Sequence, residues 1–190
     1  RYTVRPDYKF STPILNELDF EHKRILAVTC HRRENYGEPM QNIMHAILRL
    51  VEENPDVEVV YPVHLSPVVR ECAFPILGSH PRIHLIDPID VEEMHNLMAR
   101  CFFVLTDSGG LQEEAPALGK PVLVMRDTTE RPEGVAAGTL RLVGTREETI
   151  YESFTELLDN AAAYEKMSRT ANPYGDGRAC RRIADILAGE

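Results

Sequence analysis

The chain has 190 residues, with 21 lysines and arginines against 30 aspartates and glutamates, and a formal net charge of -9 at pH 7. This acidic balance argues against non-specific nucleic-acid binding, which needs a basic face. No apolar run approaches the roughly 20 residues that a membrane span needs. The four cysteines lie far apart without a C-x-x-C pair, which predicts reduced thiols in a cytosolic protein: Cys30, Cys72, Cys101 and Cys180.

The first part of the chain predicts a connection to something upstream. The sequence begins with Arg rather than Met and has no apolar signal segment, so we expect a piece of a longer protein. Residues 1–22 are mixed and polar, and Pro6 and Pro13 interrupt them. We therefore predict a linker over 1–22, with a short helical piece over 13–18, and one domain over 23–190.

From residue 24 onward, predicted strands alternate with predicted helices. The strands are expected at 24–29, 57–63, 82–86, 102–106, 121–125 and 139–143. The helices are expected at 39–53, 67–74, 91–100, 111–118, 134–138, 147–160, 161–169 and 178–187. This alternation is typical of an α/β fold with a doubly wound, Rossmann-like parallel sheet.

The stretch from Phe102 to Gly119 carries the main functional signal. A buried strand, the turn Asp107-Ser108-Gly109-Gly110 and a helix follow one another, so free backbone N–H groups and a positive helix end point at one spot. Gly109 and Gly110 have no Cβ, which would let a diphosphate approach the backbone. Glu114 suits a ribose, because a carboxylate accepts two hydrogen bonds from vicinal hydroxyls.

Taken alone, this stretch also fits an ordinary strand-to-helix turn with a good cap. It is not the dinucleotide G-x-G-x-x-G motif, and it lacks the Lys-Ser/Thr ending of a P-loop. The ends of the other strands add weight to a shared anionic ligand, because polar residues follow them too: His31 to Glu34, His64, and 126–133. In such sheets, ligands bind beyond the carboxyl ends of the strands.

Four segments together resemble one family, the non-hydrolysing UDP-N-acetylglucosamine 2-epimerases. They are HRREN (31–35), YPVHLSP (61–67), TDSGGLQEEAPALGKPVLVMRDTTERPE (106–133) and NPYGDG (172–177). The resemblance covers residue 22 to the end. It implies the C-terminal, nucleotide-holding half of a glycosyltransferase-B-like enzyme, whose active site lies in the cleft between two Rossmann-type domains.

The resemblance also implies roles for individual residues. Ser108, Gly109 and Gly110 would bind the diphosphate, and Glu114 the ribose. The catalytic set would be His31, Glu34 and Arg131, with His31 and Arg131 also contacting the substrate. Pro88, Ile89 and Met94 would form the uracil site, although Met94 stands where an aromatic residue is expected. Arg32 and His64 would form a regulatory substrate site.

The family's reaction removes UDP from UDP-N-acetylglucosamine and adds it back to give UDP-N-acetylmannosamine. The resemblance implies no cofactor, a homodimer for the full enzyme, and catalytic carboxylates supplied by the absent N-terminal domain. We therefore expect this chain to bind UDP and UDP-N-acetylhexosamines without epimerising them. No metal site is predicted, because the seven histidines show no convincing ligand spacing with a carboxylate.

Three alternatives stay open from the sequence. They are a glycosyltransferase donor-binding domain, a hydrolysing UDP-N-acetylglucosamine 2-epimerase, and a nucleotide-binding sensor without catalysis. We also expect Ile183, Ile186 and Leu187 of the last helix to form an exposed apolar patch.

Overall fold

The computed structural model describes residues 3–189 and contains one parallel sheet of six strands. Its strands lie in the order β3-β2-β1-β4-β5-β6, and every neighbouring pair is parallel. The strands are β1 (Arg24–Thr29), β2 (Val57–Pro62), β3 (Ile83–Ile86), β4 (Phe103–Thr106), β5 (Val122–Val124) and β6 (Leu140–Leu142). This is the predicted doubly wound, Rossmann-like fold, and the strand order reverses between β1 and β4.

Helices cover both faces of this sheet. They are α1 (Glu38–Glu53), α2 (Pro67–Leu77), α3 (Val91–Arg100), α4 (Gly109–Ala117), α5 (Pro132–Ala137), α6 (Glu147–Asp159), α7 (Ala161–Ser168) and α8 (Ala179–Ala188). Short 3₁₀ turns occur at Pro13–Asn16 and Arg33–Asn35. In the part of the chain that the structure describes, no helix is long and apolar enough to cross a membrane.

Two apolar clusters form the core, one on each face of the sheet. Alternate residues of β1 separate into the two, because successive side chains of a strand point to opposite faces: Leu26 and Val28 join one cluster, Ile25 and Ala27 the other. The strands are buried on both faces, which explains why they read as continuous apolar runs.

The segment predicted as a linker packs onto one face of the sheet. Phe10 is 5% exposed and Leu15 is fully buried, and both belong to the cluster that contains Ile25 and Ala27. Arg100 donates to the carbonyl oxygen of Tyr8 at 2.9 Å and lies over the ring of Phe10. The core therefore extends upstream of residue 23.

Three predicted helices have a bound that is wrong by two residues or more. Helix α5 begins at Pro132 rather than at 134. Helix α4 begins at Gly109 rather than at 111, so the glycines form its first turn instead of preceding it. Helix α2 continues through Pro75 to Leu77, three residues beyond the predicted end at 74.

Candidate functional site

The beginning of α4 lies at the carboxyl edge of the sheet, beside the point where the strand order reverses. Strand β4 ends at Thr106 and α4 starts three residues later at Gly109, so the helix amino end faces this edge. Strand β1, the neighbour of β4, ends at Thr29 and delivers His31 and Arg32 to the same place. A helix amino end at such a switch point favours an anion.

Asp107 ties the two strand ends together. Its Oδ2 accepts hydrogen bonds from the backbone N–H groups of His31 at 2.8 Å and Arg32 at 2.7 Å. The side-chain amide of Asn35 also donates to Oδ2, at 3.1 Å. Asp107 is fully buried, so these donors hold a charge that water does not reach. They fix the chain after β1 against the start of α4.

Two guanidinium groups flank Gly109. A Cβ built on Gly109 would lie 3.4 Å from Arg32 Nη2 and 3.8 Å from Arg131 Nη2. Gly109 itself is buried, and its missing side chain leaves space between these cations and the helix backbone. We call Gly109, Arg32, Arg131 and the first turn of α4 the cationic corner. Its chemistry suits a phosphate or diphosphate.

A small network holds Arg131 in the cationic corner. Its Nε donates to Glu113 Oε1 on α4, and its backbone N–H donates to Thr129 Oγ1 at 3.0 Å. Thr129 in turn donates to the side chain of Gln112, whose amide donates to the carbonyl oxygen of Ser108 at 3.2 Å. The loop after β5 is thereby attached to α4 along its first turn.

Ser108 and Glu114 approach the same point on α4. A Cβ at Gly110 would lie 3.6 Å from Glu114 Oε1 and 4.0 Å from Ser108 Oγ. The side chain of Ser108 makes no capping hydrogen bond to α4, so its hydroxyl is not committed to the helix end. The predicted diphosphate and ribose contacts are thus adjacent.

Glu114 has a partner on the neighbouring helix α3. Its Oε2 lies 3.2 Å from His95 Nε2, and the Glu114 side chain is 42% exposed against 22% for His95. The other ring nitrogen of His95 lies 2.7 Å from the hydroxyl of Thr3. One carboxylate oxygen of Glu114 therefore has a hydrogen-bond partner on the more buried side chain of His95.

His31 and His64 lie against each other at the carboxyl edge. Their ring centroids are 5.4 Å apart with an interplanar angle of 31°. His31 Nε2 is 4.0 Å from the buried carboxylate of Asp107, and His64 Nδ1 accepts from the backbone N–H of Ser66 at 3.1 Å. The residues predicted to be catalytic and regulatory are neighbours in space.

Glu34 belongs to an ion-paired cluster with Arg126 and Glu130. Arg126 donates to Glu34 Oε1 at 2.5 Å and to both oxygens of Glu130 at 2.6 and 2.9 Å. The hydrogen bonds from Arg126 lower the pKa of Glu130 to about 2. Glu34 also lines a cleft of about 310 Å³ with Asn35, Pro39, Asp127, Thr128 and Thr145. Its contacts are those of a counterion for the buried Arg126.

The predicted uracil residues follow β3 and enter α3. Pro88 is exposed, whereas Ile89 and Met94 are partly buried against the apolar cluster that contains Leu97 and Val104. Asp90 caps α3 by accepting from the backbone N–H of Glu93 at 2.8 Å. Met94 precedes His95 directly, so the apolar surface lies next to the partner of Glu114.

The chain is similar to known proteins over nearly its whole length. A family model described as UDP-N-acetylglucosamine 2-epimerase matches residues 2–188. The chain is 59% identical to the UDP-N-acetylglucosamine 2-epimerase of Bacillus subtilis over 185 residues, which cover 97% of this chain and 48% of that protein. The chain belongs to the UDP-N-acetylglucosamine 2-epimerase family.

Two solved members of this family share the structure closely. A co-structure of S. aureus MnaA with UDP has 50% identity and a TM-score of 0.91, over 98% of this chain and 50% of that one. A Neisseria meningitidis UDP-GlcNAc 2-epimerase bound to UDP-GlcNAc has 45% identity and a TM-score of 0.88, over 94% of this chain and 48% of that one. The chain spans about half the length of the relatives it matches, as a C-terminal domain of this family does.

Several structural members of the site escaped prediction from the sequence. The sequence places Asp107 only in a turn and Arg126 only within the polar segment 126–133, and it predicts no role for His95. Position gave a signal for two of them, because Asp107 follows β4 directly and Arg126 follows β5 closely, where parallel sheets place functional residues. His95 gave none, since its partner Glu114 is 19 residues away on another helix.

Residues 3–189 contain no candidate metal-binding site. They contain no group of three or more His, Cys, Asp or Glu side chains placed to hold an ion. The polar residues of the site instead form hydrogen bonds and ion pairs with one another.

Proposed function

We propose that this chain is the UDP-binding half of a non-hydrolysing enzyme that interconverts UDP-N-acetylglucosamine and UDP-N-acetylmannosamine. The observation that carries this proposal is the cationic corner, where two guanidinium groups and a helix amino end converge on Gly109. Ser108, Gly109 and Gly110 bind the diphosphate, and Glu114 binds the ribose. The apolar surface of Pro88, Ile89 and Met94 holds the uracil.

The proposed reaction is an elimination followed by an addition. A base removes the proton from carbon 2 as the bond from carbon 1 to UDP breaks, giving UDP and a 2-acetamidoglucal. UDP then adds back to carbon 1, and a proton returns to carbon 2 on the opposite face. Negative charge grows on the departing diphosphate, so donors already in place at the corner lower the barrier.

The contribution of this chain lies on the leaving-group side. Arg131, held by Glu113, and Arg32 stand where that charge develops. His31 lies close by as a group that contacts the phosphates and the sugar. Glu34 is the remaining predicted catalytic residue, and its pairing with Arg126 favours a supporting role over proton transfer.

The rest of the enzyme is supplied by a second domain in this proposal. The carboxylate bases come from an N-terminal domain, and the whole enzyme forms a homodimer. The 190-residue chain then binds UDP without turnover. Incubating it with UDP-N-acetylglucosamine and analysing for UDP-N-acetylmannosamine tests this, and any turnover contradicts the need for a second domain.

Calorimetric titration of UDP tests the binding proposal. Three or four charge-assisted hydrogen bonds support a Kd in the micromolar range, about −8 kcal/mol. Ser108→Ala should weaken UDP by about 1–2 kcal/mol, and Glu114→Ala should weaken it as well. Glu58→Ala is the control, because Glu58 pairs with His84 outside the site at 2.9 Å and should leave UDP affinity unchanged. Equal affinity in all variants would place the ligand elsewhere.

The products of the full-length enzyme separate this proposal from its rivals. A non-hydrolysing epimerase gives UDP-N-acetylmannosamine, whereas a hydrolysing one releases free N-acetylmannosamine and UDP. A glycosyltransferase instead transfers the sugar to an acceptor.

Arg32 and His64 form the proposed regulatory site for substrate. In the full-length enzyme, His64→Ala should abolish substrate activation while UDP affinity is retained. Cooperativity equal to that of the wild type would remove this assignment. The contact of the His64 and His31 rings offers a direct route between regulatory and catalytic residues.

A further inference from the structure

His95 contacts Glu114, the proposed ribose-binding residue, and has no role so far. It lies on α3, next to Met94, and its Nε2 is 3.2 Å from Glu114 Oε2. Glu114 Oε1 points instead toward Gly110, 3.6 Å from the place of a Cβ there. The two oxygens of this carboxylate therefore face different surroundings: one faces His95, and the other faces the site.

The hydrogen-bonding pattern fixes which nitrogen of His95 donates. A carboxylate only accepts, so a hydrogen bond to Glu114 requires the hydrogen on Nε2. In the neutral ring Nδ1 then accepts, and the Thr3 hydroxyl 2.7 Å away is a suitable donor. The Thr3 hydroxyl can thus donate to Nδ1 in the tautomer of His95 that donates to Glu114.

The start of the described chain is anchored to keep Thr3 in place. The side-chain amide of Asn96, which is fully buried, donates to the carbonyl oxygen of Thr3 at 2.9 Å. The same amide group accepts from the backbone N–H of Arg5 at 3.0 Å. Arg5 also pairs with Glu92 on α3. Residues 3–5 therefore lie along α3 beside His95.

From this arrangement we propose that His95 is a positioning residue for ribose recognition. It holds one oxygen of Glu114, so that the other is preset toward the vicinal hydroxyls of the nucleotide. Because a carboxylate on a long side chain loses rotamer freedom when it binds, prior fixation saves that cost on binding. The inference rests on the proposed function, since it assigns Glu114 to the ribose.

A ligand lacking the ribose hydroxyls tests this role. The affinities of the 190-residue chain for UDP and for 2′,3′-dideoxy-UDP are measured by calorimetry. We expect His95→Leu to weaken UDP about tenfold, which is about 1.4 kcal/mol, and to leave the affinity for 2′,3′-dideoxy-UDP unchanged. His95→Gln, which keeps an N–H donor, should recover part of the loss.

Two further variants complete the design. His84→Leu is the matched control, because His84 also pairs with a glutamate, Glu58, but lies outside the site; it should change neither affinity. Thr3→Val removes the hydroxyl while keeping the shape, so it should weaken UDP selectively and by less than His95→Leu. If circular dichroism shows that His95→Leu does not fold, Thr3→Val tests the role of His95 in its place.

A double variant tests whether His95 affects UDP affinity through Glu114. If His95 acts through Glu114, His95→Leu combined with Glu114→Ala binds UDP no more weakly than Glu114→Ala alone. Additive losses, an unchanged UDP affinity in His95→Leu, or equal losses for both ligands would each overturn the inference. If the wild type and Glu114→Ala bind UDP equally, the ribose assignment in the proposed function fails instead.

Discussion

The carboxylate of Asp107 accepts a hydrogen bond from the backbone N–H of His31, at 2.8 Å, across the point where the strand order of the sheet reverses. This contact joins the end of β4 to the end of β1. It brings the HRREN segment to the amino end of α4, so the cationic corner depends on it.

Replacing Asp107 should destabilise the fold. Asp107→Ala leaves the N–H groups of His31 and Arg32 and the amide of Asn35 without their acceptor. The Asn35 amide is buried and the two backbone N–H groups are partly buried. A buried donor left unsatisfied costs about 1–3 kcal/mol, so we expect a loss of about 3 kcal/mol in urea unfolding. Asp87→Ala is the control, because Asp87 follows β3 but its side chain is 82% exposed. It should cost less than about 1 kcal/mol, and an equal cost for both would contradict the role of Asp107.

A methyl group at Gly109 should weaken UDP binding without harming the fold. Gly109→Ala places a Cβ 3.4 Å from Arg32 Nη2, in the space proposed for the diphosphate. We expect about a tenfold loss of UDP affinity by calorimetry, about 1.4 kcal/mol. Ala117→Gly at the other end of α4 should cost about 0.5–1 kcal/mol of stability and leave UDP affinity unchanged. If Gly109→Ala binds UDP with the affinity of the wild type, the diphosphate does not bind at the cationic corner.

The pairing of Glu130 with Arg126 should make a pH-dependent contribution to stability. Arg126 lowers the pKa of Glu130 to about 2, below its ordinary value of 4.5. A depressed carboxyl pKa adds stability that is complete above about pH 4.5 and is lost as the pH falls toward 2. The urea midpoint of Glu130→Gln should therefore lie below that of the wild type at pH 7, and the gap should shrink between pH 4.5 and 3. Glu133→Gln, in the adjacent helix α5, is the control, and a gap independent of pH would contradict the pairing.

Gly134 should not tolerate a side chain. A Cβ there would lie 2.5 Å from Leu140 Cδ1 and would also clash with the hydroxyl of Tyr174. We expect Gly134→Ala to cost about 1–3 kcal/mol by overpacking. Tyr174 donates to the carbonyl oxygen of Arg131 at 3.3 Å, so UDP affinity should fall too. Tyr174→Phe removes that hydrogen bond without the clash, and should cost less in urea unfolding than Gly134→Ala. The reverse order would show that the packing around Gly134 can relax.

The apolar face of α8 should promote self-association. Ile183, Ile186 and Leu187 are 56%, 75% and 81% exposed, as the sequence predicted. Replacing Ile186 and Leu187 together with lysine should shift the chain toward the monomer in light scattering at high concentration. UDP affinity should be unchanged, because α8 contributes no residue to the cationic corner. Association that persists in this variant would point to another surface.

Local signals in the sequence predicted most of the fold. β1 and α3 have the predicted bounds, because an unbroken apolar run and a clear N-cap at Asp90 define them. The predicted start of α4 is wrong because of Gly109 and Gly110. Two adjacent glycines usually indicate a turn, but in this structure they form the first residues of the helix. The helix after β2 passes Pro75 because packing of Leu77 in the core outweighs the hydrogen bond that proline removes.

The site was predictable only where its residues are close in the chain. Ser108, Gly109 and Glu114 lie within seven positions, so one motif contained them. Arg126 and Glu34 are 92 positions apart, and His95 and Glu114 belong to different helices. Such pairs are set by how the layers stack on the sheet, and spacing in a single sequence carries no information about that.

The packing of Phe10 and Leu15 against Ile25 and Ala27 changes where this domain can be divided. A version shortened to start at residue 23 would uncover one apolar side of the sheet and would also discard Thr3, the hydroxyl beside His95. Folding and nucleotide recognition would then decline together. A preparation of this domain should therefore keep the residues upstream of 23, because they share its apolar core.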